Sequence, residues 1–131
     1  MLSALFSINP QYAEQIFDGK KLFEFRKQKC KRTINKMVIY ETSPISKIIG
    51  EVDVLDILED TPENIWNITS KNSGISLDFF NSYFKNRKVA YAYVLSNPVI
   101  YKKPICLKEL NIKAAPQSYI YIDYTQYEKL H

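Results

Sequence analysis

The spacing of apolar positions changes along the chain between the two-residue period of strands and the 3.6-residue period of helices. Residues 2–8 (Leu-Ser-Ala-Leu-Phe-Ser-Ile) are mostly apolar and end at Asn9-Pro10, which predicts a first strand followed by a helix start. Asn is a good capping residue, and Pro suits the first helical turn. Tyr12, Ala13, Ile16 and Phe17 then share one helical face. Asp18-Gly19 ends the helix, with Gly as a left-handed cap. Residues 21–27 read as a strand and the polar, basic residues 28–36 as a loop. Residues 37–42 form a strand that stops before Ser43-Pro44. A longer strand covers 47–58, in which Gly50 marks a bulge or a close backbone approach.

Thr61-Pro62-Glu63 opens a second helix that fades before Gly74, and Ser76 caps a third in which Leu77, Phe80 and Phe84 share a face. Residues 88–97 are apolar on both faces and suit a central, buried strand. Pro98 and Pro104 bracket a short extended piece, residues 105–110 read as a helical turn, and residues 118–124 as the last strand. Grouped strands and grouped helices predict an α+β fold, a small mixed or antiparallel β-barrel with flanking helices, rather than a doubly wound sheet. No Gly-rich phosphate loop follows any strand, so nucleotide-cofactor folds lose support. The 131 residues, without a linker-like or repeated stretch, are expected to form one domain over 1–131.

Charge adds a polarity that the pattern does not show. The net charge is +4, from 18 basic and 14 acidic residues. Residues 19–36 hold eight of the basic residues (Lys20, Lys21, Arg26, Lys27, Lys29, Lys31, Arg32 and Lys36) against one acid, Glu24. The remainder is therefore net acidic. A cationic segment of this density attracts phosphate by charge steering and counterion release, and a solvated lysine-rich loop is the plain alternative.

Composition narrows the chemistry. The one histidine, His131, is the last residue, a place where chains usually fray. A histidine triad, a histidine–zinc centre or a histidine general base is not expected. Cys30 and Cys106 stand 76 positions apart, match no metal or redox spacing, and are read as reduced thiols, with one disulfide between them as the alternative. No metal and no cofactor is expected. The N-terminus lacks a basic stretch before its apolar residues, and no run approaches the ~18 apolar residues of a membrane span. A soluble, cytoplasmic protein with no membrane partner is the expectation.

Within the basic segment, Gly19-Lys20-Lys21-Leu22-Phe23-Glu24-Phe25-Arg26 fits the pattern G-x-K-x-x-E-x-R. Its setting is a strand, then Asn9-Pro10 opening a helix that ends at Gly19. Downstream follow Val38-Ile39-Tyr40-Glu41-Thr42-Ser43-Pro44, Ile49-Gly50-Glu51-Val52 and Ala115-Pro116-Gln117-Ser118-Tyr119. In these features, which span nearly the whole chain, the sequence resembles the ASCH domains of the PUA-like superfamily. The resemblance implies a PUA-like β-barrel with a cleft beside the first helix, and an RNA or nucleotide-like ligand as its partner. Lys21 would meet a phosphate, Arg26 would fork onto a phosphate or a base edge, and Glu24 would accept from an exocyclic amine or hold Arg26. Glu24 and Arg26 share a strand face, whereas Lys21 has the opposite parity unless the strand begins after it. A structural Glu24–Arg26 ion pair is the alternative.

Aromatic rings supply stacking surface. Tyr40, Tyr91, Tyr93, Tyr119, Tyr121 and Tyr124 lie on predicted strands, and Tyr40 and Tyr119 are the candidates because their segments match the family pattern. Ser43, Thr42, Gln117 and Ser118 stand at strand ends, where they would read a base edge or cap turns. Some ASCH-like proteins are enzymes: amidohydrolases acting on acetylated cytidine, and metal-independent ribonucleases. The resemblance makes Lys21 central to either activity. Glu24 stands where the amidohydrolases have a threonine, which removes their hydroxyl. The expected function is thus a regulatory RNA- or modified-nucleobase-binding module, with a small hydrolase as the alternative. A third reading packs the aromatic 76–84 helix against a partner.

Overall fold

The computed structural model describes residues 1–131. Six strands and four α-helices alternate as β1 (Ser3–Ile8), α1 (Pro10–Phe17), β2 (Phe23–Arg26), β3 (Lys36–Glu41), β4 (Lys47–Asp60), α2 (Pro62–Thr69), α3 (Leu77–Tyr83), β5 (Ala90–Ile105), β6 (Tyr119–Ile122) and α4 (Tyr124–Glu128). The strands form one sheet in the order β2-β5-β4-β3-β1-β6. Only β1 and β3 run parallel; every other neighbouring pair is antiparallel. The sheet curls into a half-barrel, so the expected α+β, mixed PUA-like architecture is the one observed.

Two-residue periodicity sorts the central strands onto opposite faces. Ala4, Phe6 and Ile8 of β1, with Met37 and Ile39 of β3, pack on Ala13 and Ile16 of α1. Leu5 and Val38 point the other way, joining Ile48, Tyr101 and Leu110. Both faces of the parallel pair are thus covered, as such pairs require. A third cluster sets Phe25 and Ala92 against Ile65, Phe80 and Phe84 of the α2–α3 pair.

Several boundaries differ from the expectation, each for a local reason. β5 runs on through Pro98 and Pro104 instead of stopping before them. The pairing of β4 with β5 slips near both prolines, and Asn97 has φ +52°. A proline in a bulge removes no ladder donor, so the strand continues. Gly50 also sits at a register shift, and a Cβ there would lie 2.2 Å from the Val99 carbonyl. The last strand ends at Ile122, not 124, because Asp123 opens α4. Its carboxylate accepts from Gln126 N, while the Gln126 side chain accepts from Asp123 N. This capping box is spelled Asp-x-x-Gln in the sequence. Asn9 also departs from expectation: its side-chain oxygen accepts from Thr42 Oγ1 at 3.1 Å instead of capping α1.

His131, expected to fray, is tied down. Its Nε2 lies 2.8 Å from Oε1 of buried Glu51, which also accepts from Tyr101 Oη; Tyr127 Oη donates to Oε2, each at 2.8 Å. Lys36 stands 3.5 Å away. Burial pushes the Glu51 pKa up, but the two tyrosine hydroxyls and the charges of His131 and Lys36 outweigh it and hold the carboxyl below its usual value. A depressed pKa stabilises the fold above the unfolded value, and that stabilisation is lost as pH falls through the folded value. Glu51→Gln should therefore cost about 1–3 kcal/mol at neutral pH. The gap to the parent protein should begin to narrow as pH falls below ~4, near the unfolded glutamate value, and close only below the lower folded value. Urea titrations at pH 7 and pH 3.5 check both points.

Candidate functional site

A cleft of about 210 Å³ opens between α1, β2 and α3. The end of α1 builds its floor. Gly19 takes φ +77°, and the N–H groups of Lys20 and Lys21 both donate to the Gln15 carbonyl, at 2.9 and 3.0 Å. This left-handed exit turns Lys21 inward, before β2 begins at Phe23. The parity conflict between Lys21 and Glu24 is therefore resolved, since Lys21 precedes the strand. All three signature side chains, Lys21, Glu24 and Arg26, line the cleft.

Lys21 is 2 % exposed. Its Nζ donates to the Ser73 carbonyl at 2.6 Å and lies 4.9 Å from the Phe25 ring centre and 5.6 Å from that of Tyr12. Aromatic faces thus replace part of the lost hydration. Burial pushes the Lys21 pKa below its ordinary value and Arg26 adds to this, while Glu24 opposes it. Gly74, at φ +73°, packs on the lysine stem: a Cβ there would come within 2.9 Å of Lys21 Cβ and Cδ. The stem fits only because residue 74 has no side chain.

Arg26 occupies the seam of the half-barrel. β2 and β6 are the two sheet edges and do not pair with each other. The Arg26 side chain spans them. Nε donates to Glu24 Oε2 at 3.0 Å, Nη2 to the Ser7 carbonyl of β1 at 2.9 Å, and Nη1 to Ser118 Oγ, just before β6, at 3.2 Å. Nη2 also lies 3.0 Å from Glu24 Oε2, and the guanidinium stands 5.1 Å over the Phe6 ring. Every nitrogen has a partner within the chain, so Arg26 holds architecture before any ligand arrives. Glu24 keeps its second oxygen, Oε1, free of Arg26.

The remaining candidates separate. Ser118 touches Arg26, and Tyr119 stacks on Phe6 at 5.3 Å, beneath the seam. Tyr40 belongs to the cluster of Leu5, Val38 and Ile48, because its position on β3 points away from the α1 side. Ser43 is exposed in the turn between β3 and β4, and Gln117 is exposed before β6. None of Tyr40, Ser43 and Gln117 lines the cleft.

The walls come from residues the sequence reading passed over: Tyr12 of α1 and Ile75, Phe79 and Tyr83 around α3. Phe79 lies 5.7 Å from Tyr12 and stacks with Tyr83 at 6.4 Å and 10°. On α3 the expected face of Phe80 and Phe84 is indeed buried, while Leu77 stays exposed. The i, i+4 pair Phe79–Tyr83 forms a second apolar face, which was the available signal. The basic segment divides likewise. Lys27 lies over Tyr83 at the cleft rim, Lys29 pairs with Glu59 at 2.8 Å, and Lys36 pairs with Asp53. No three His, Cys, Asp or Glu side chains gather as metal ligands, and no helix is long and apolar enough to cross a membrane.

Residues 6–102 match the model of the ASCH domain. The chain is 28% identical over 134 residues to the ASCH domain-containing ribonuclease of Zymomonas mobilis, covering 97% of this chain and 88% of that protein. A crystal structure of ASCH from Zymomonas mobilis superposes with a TM-score of 0.89 at 27% identity, covering 98% of this chain and 92% of that one. The chain is also 34% identical over 123 residues to a Ureaplasma parvum protein named ATP synthase subunit alpha; the match takes in 90% of this chain but only 15% of that protein's length.

The seam makes a direct prediction. Arg26→Lys keeps the charge but gathers its donors on one nitrogen, which cannot span the three partners that the planar fork reaches. With both charges kept and hydrogen bonds lost in a largely buried place, a loss of about 1.5–3 kcal/mol is expected. Chemical denaturation of the purified variant measures it.

Proposed function

The chain belongs to the ASCH domain family, and on that premise we propose that its cleft binds RNA by taking up one unpaired base. The observation that carries this reading is the cleft's make-up: aromatic walls over a floor holding a buried ammonium and a carboxylate oxygen. The volume, about 210 Å³, falls below the ~300–1,000 Å³ of sites that enclose drug-sized molecules. It suits a single flat group. Tyr12, Phe79 and Tyr83 offer π-faces, which stack bases without regard to sequence. Glu24 Oε1 is an acceptor for an exocyclic or ring N–H. Lys21 meets a carbonyl oxygen or a phosphate. Duplex RNA keeps its bases stacked, so single strands and loops are the substrate class.

Phe79 is 45% exposed and can be removed without opening the core. Phe79→Ala should weaken binding of a single-stranded RNA by about 1–3 kcal/mol, a factor of roughly 5–150. The melting temperature should stay close to that of the parent protein. Fluorescence anisotropy measures the binding, and equal affinities would sink the reading.

A second reading makes the same cleft a ribonuclease. It is supported by the lowered pKa of Lys21 and by the likeness to the Zymomonas mobilis ribonuclease over nearly the full chain. A neutral Lys21 amine takes the 2′-hydroxyl proton. The 2′-oxygen attacks the adjacent phosphorus to form a 2′,3′-cyclic phosphate, and the departing 5′-oxygen receives the proton from the lysine. Because the amine must be neutral, the rate should rise with pH up to the lowered lysine pKa and level above it. Lys21→Met keeps the stem and removes the base. Gel analysis should find cyclic-phosphate products with the parent protein and none with the variant; turnover by both would count against a catalytic lysine.

A further inference from the structure

A cleft for one base leaves the rest of an RNA strand outside it, and a second surface feature carries cations of its own. Residues 27–35 carry the densest positive charge of the chain, yet they are not a loose loop. Cys30 and Ile34 are buried. The N–H of Cys30 donates to Tyr93 Oη at 2.8 Å, and that of Arg32 to Tyr121 Oη at 3.0 Å. Asn35 donates to the Leu2 carbonyl and accepts from Val54 N. The segment is held at both ends and in its middle, which displays the side chains between these anchors in a fixed arrangement.

Beside it is a surface hollow of about 350 Å³, between this loop and residues 54–57 of β4. Its cations differ in their partners. Lys29 is paired with Glu59, and Asp56 contributes one acid to the rim. Lys31 and Arg32 are exposed neighbours with no carboxylate partner. The Arg32 guanidinium lies over the Tyr121 ring, 5.3 Å from its centre. A stacked, unpaired guanidinium keeps its N–H fork free for phosphate. The hollow is connected to the cleft by an aromatic ladder. Arg26 stands over Phe6, Phe6 stacks with Tyr119, Tyr119 meets Tyr121, and Tyr121 carries Arg32, in steps of 5.1, 5.3, 5.5 and 5.3 Å.

We propose that Lys31 and Arg32 form a phosphate-binding subsite for the backbone of a single-stranded RNA whose base occupies the cleft. The proposal rests on the cleft reading above and extends it: the substrate is a polymer of several nucleotides, not a free nucleoside. The cleft and Arg32, linked by four contact steps, are spaced on the scale of single-strand sites on OB folds, which cover about 4–16 nucleotides. The pairing also explains why charge concentrates in a segment only part of which enters the cleft.

The test uses the full chain and its Lys31→Ala/Arg32→Ala double variant, whose altered side chains are exposed and whose backbone anchors remain. The probe is a fluorescent single-stranded RNA of about twelve nucleotides, with a mononucleotide titrated by NMR as the cleft-only ligand. Loss of two phosphate contacts lowers the slope of log K against log salt by about 1.4 and the affinity at ~0.1 M salt by about 25-fold. Mononucleotide binding should not change. An unchanged oligonucleotide affinity and slope, with Phe79→Ala still weakened, overturns the subsite and leaves the cleft reading intact. Unchanged binding by Phe79→Ala, with the double variant weakened, overturns the cleft reading and the continuous path with it.

Discussion

The Glu24–Arg26 pair closes a sheet that its strands leave open. No ladder of hydrogen bonds joins β2 to β6, so the half-barrel is bridged at that seam by one guanidinium that contacts the carboxylate of β2, the carbonyl of Ser7 and the hydroxyl of Ser118. The cleft depends on this closure, because β2 supplies Glu24 and Phe25 while β1 supplies Ser7 and Ile8 to the same cavity. Removing one partner of such a pair leaves an uncompensated charge in a nearly dry place. The pair is therefore architectural first, and the groups it leaves over for the proposed ligand are Lys21, one oxygen of Glu24 and the rings around them.

Lys21 shows how the fold prepares a polar group for use. Three local features converge on it: the left-handed turn at Gly19 that aims it inward, the bare α-carbon of Gly74 that admits its stem, and the Ser73 carbonyl that fixes its ammonium. Burial in this surrounding favours the neutral form. A lysine so held is pre-organised, with little rotamer entropy left to lose in the binding proposed for it.

Charge is distributed by the same logic. The basic segment appears uniform along the chain, but the fold assigns its members to different tasks. Lys36 joins the buried Glu51 network, Lys29 is neutralised by Glu59, Lys27 covers a tyrosine at the cleft rim, and Lys31 with Arg32 stays free. His131 belongs to the Glu51 network as well, and it helps seat α4 against the sheet.

Periodicity and punctuation carried most of the fold. The α1 start at Asn9-Pro10, its stop at Gly19, the strand positions and the G-x-K-x-x-E-x-R signature were all readable, because each depends on residues a few positions apart. The capping box at Asp123–Gln126 was equally local and equally available. The aromatic cleft walls were not. Tyr12, Phe79 and Tyr83 come from two helices some seventy residues apart, and only the packing of α3 against α1 and β2 brings them together. Tyr40 was misplaced for a related reason: a match to a pattern says which segment is near a cleft, whereas the alternation of β3 against its neighbours decides which face a side chain takes. Local geometry, caps and strand faces are properties of short stretches. Which unpaired cation remains free, and which rings meet across a gap, follows from long-range contacts that no short stretch contains.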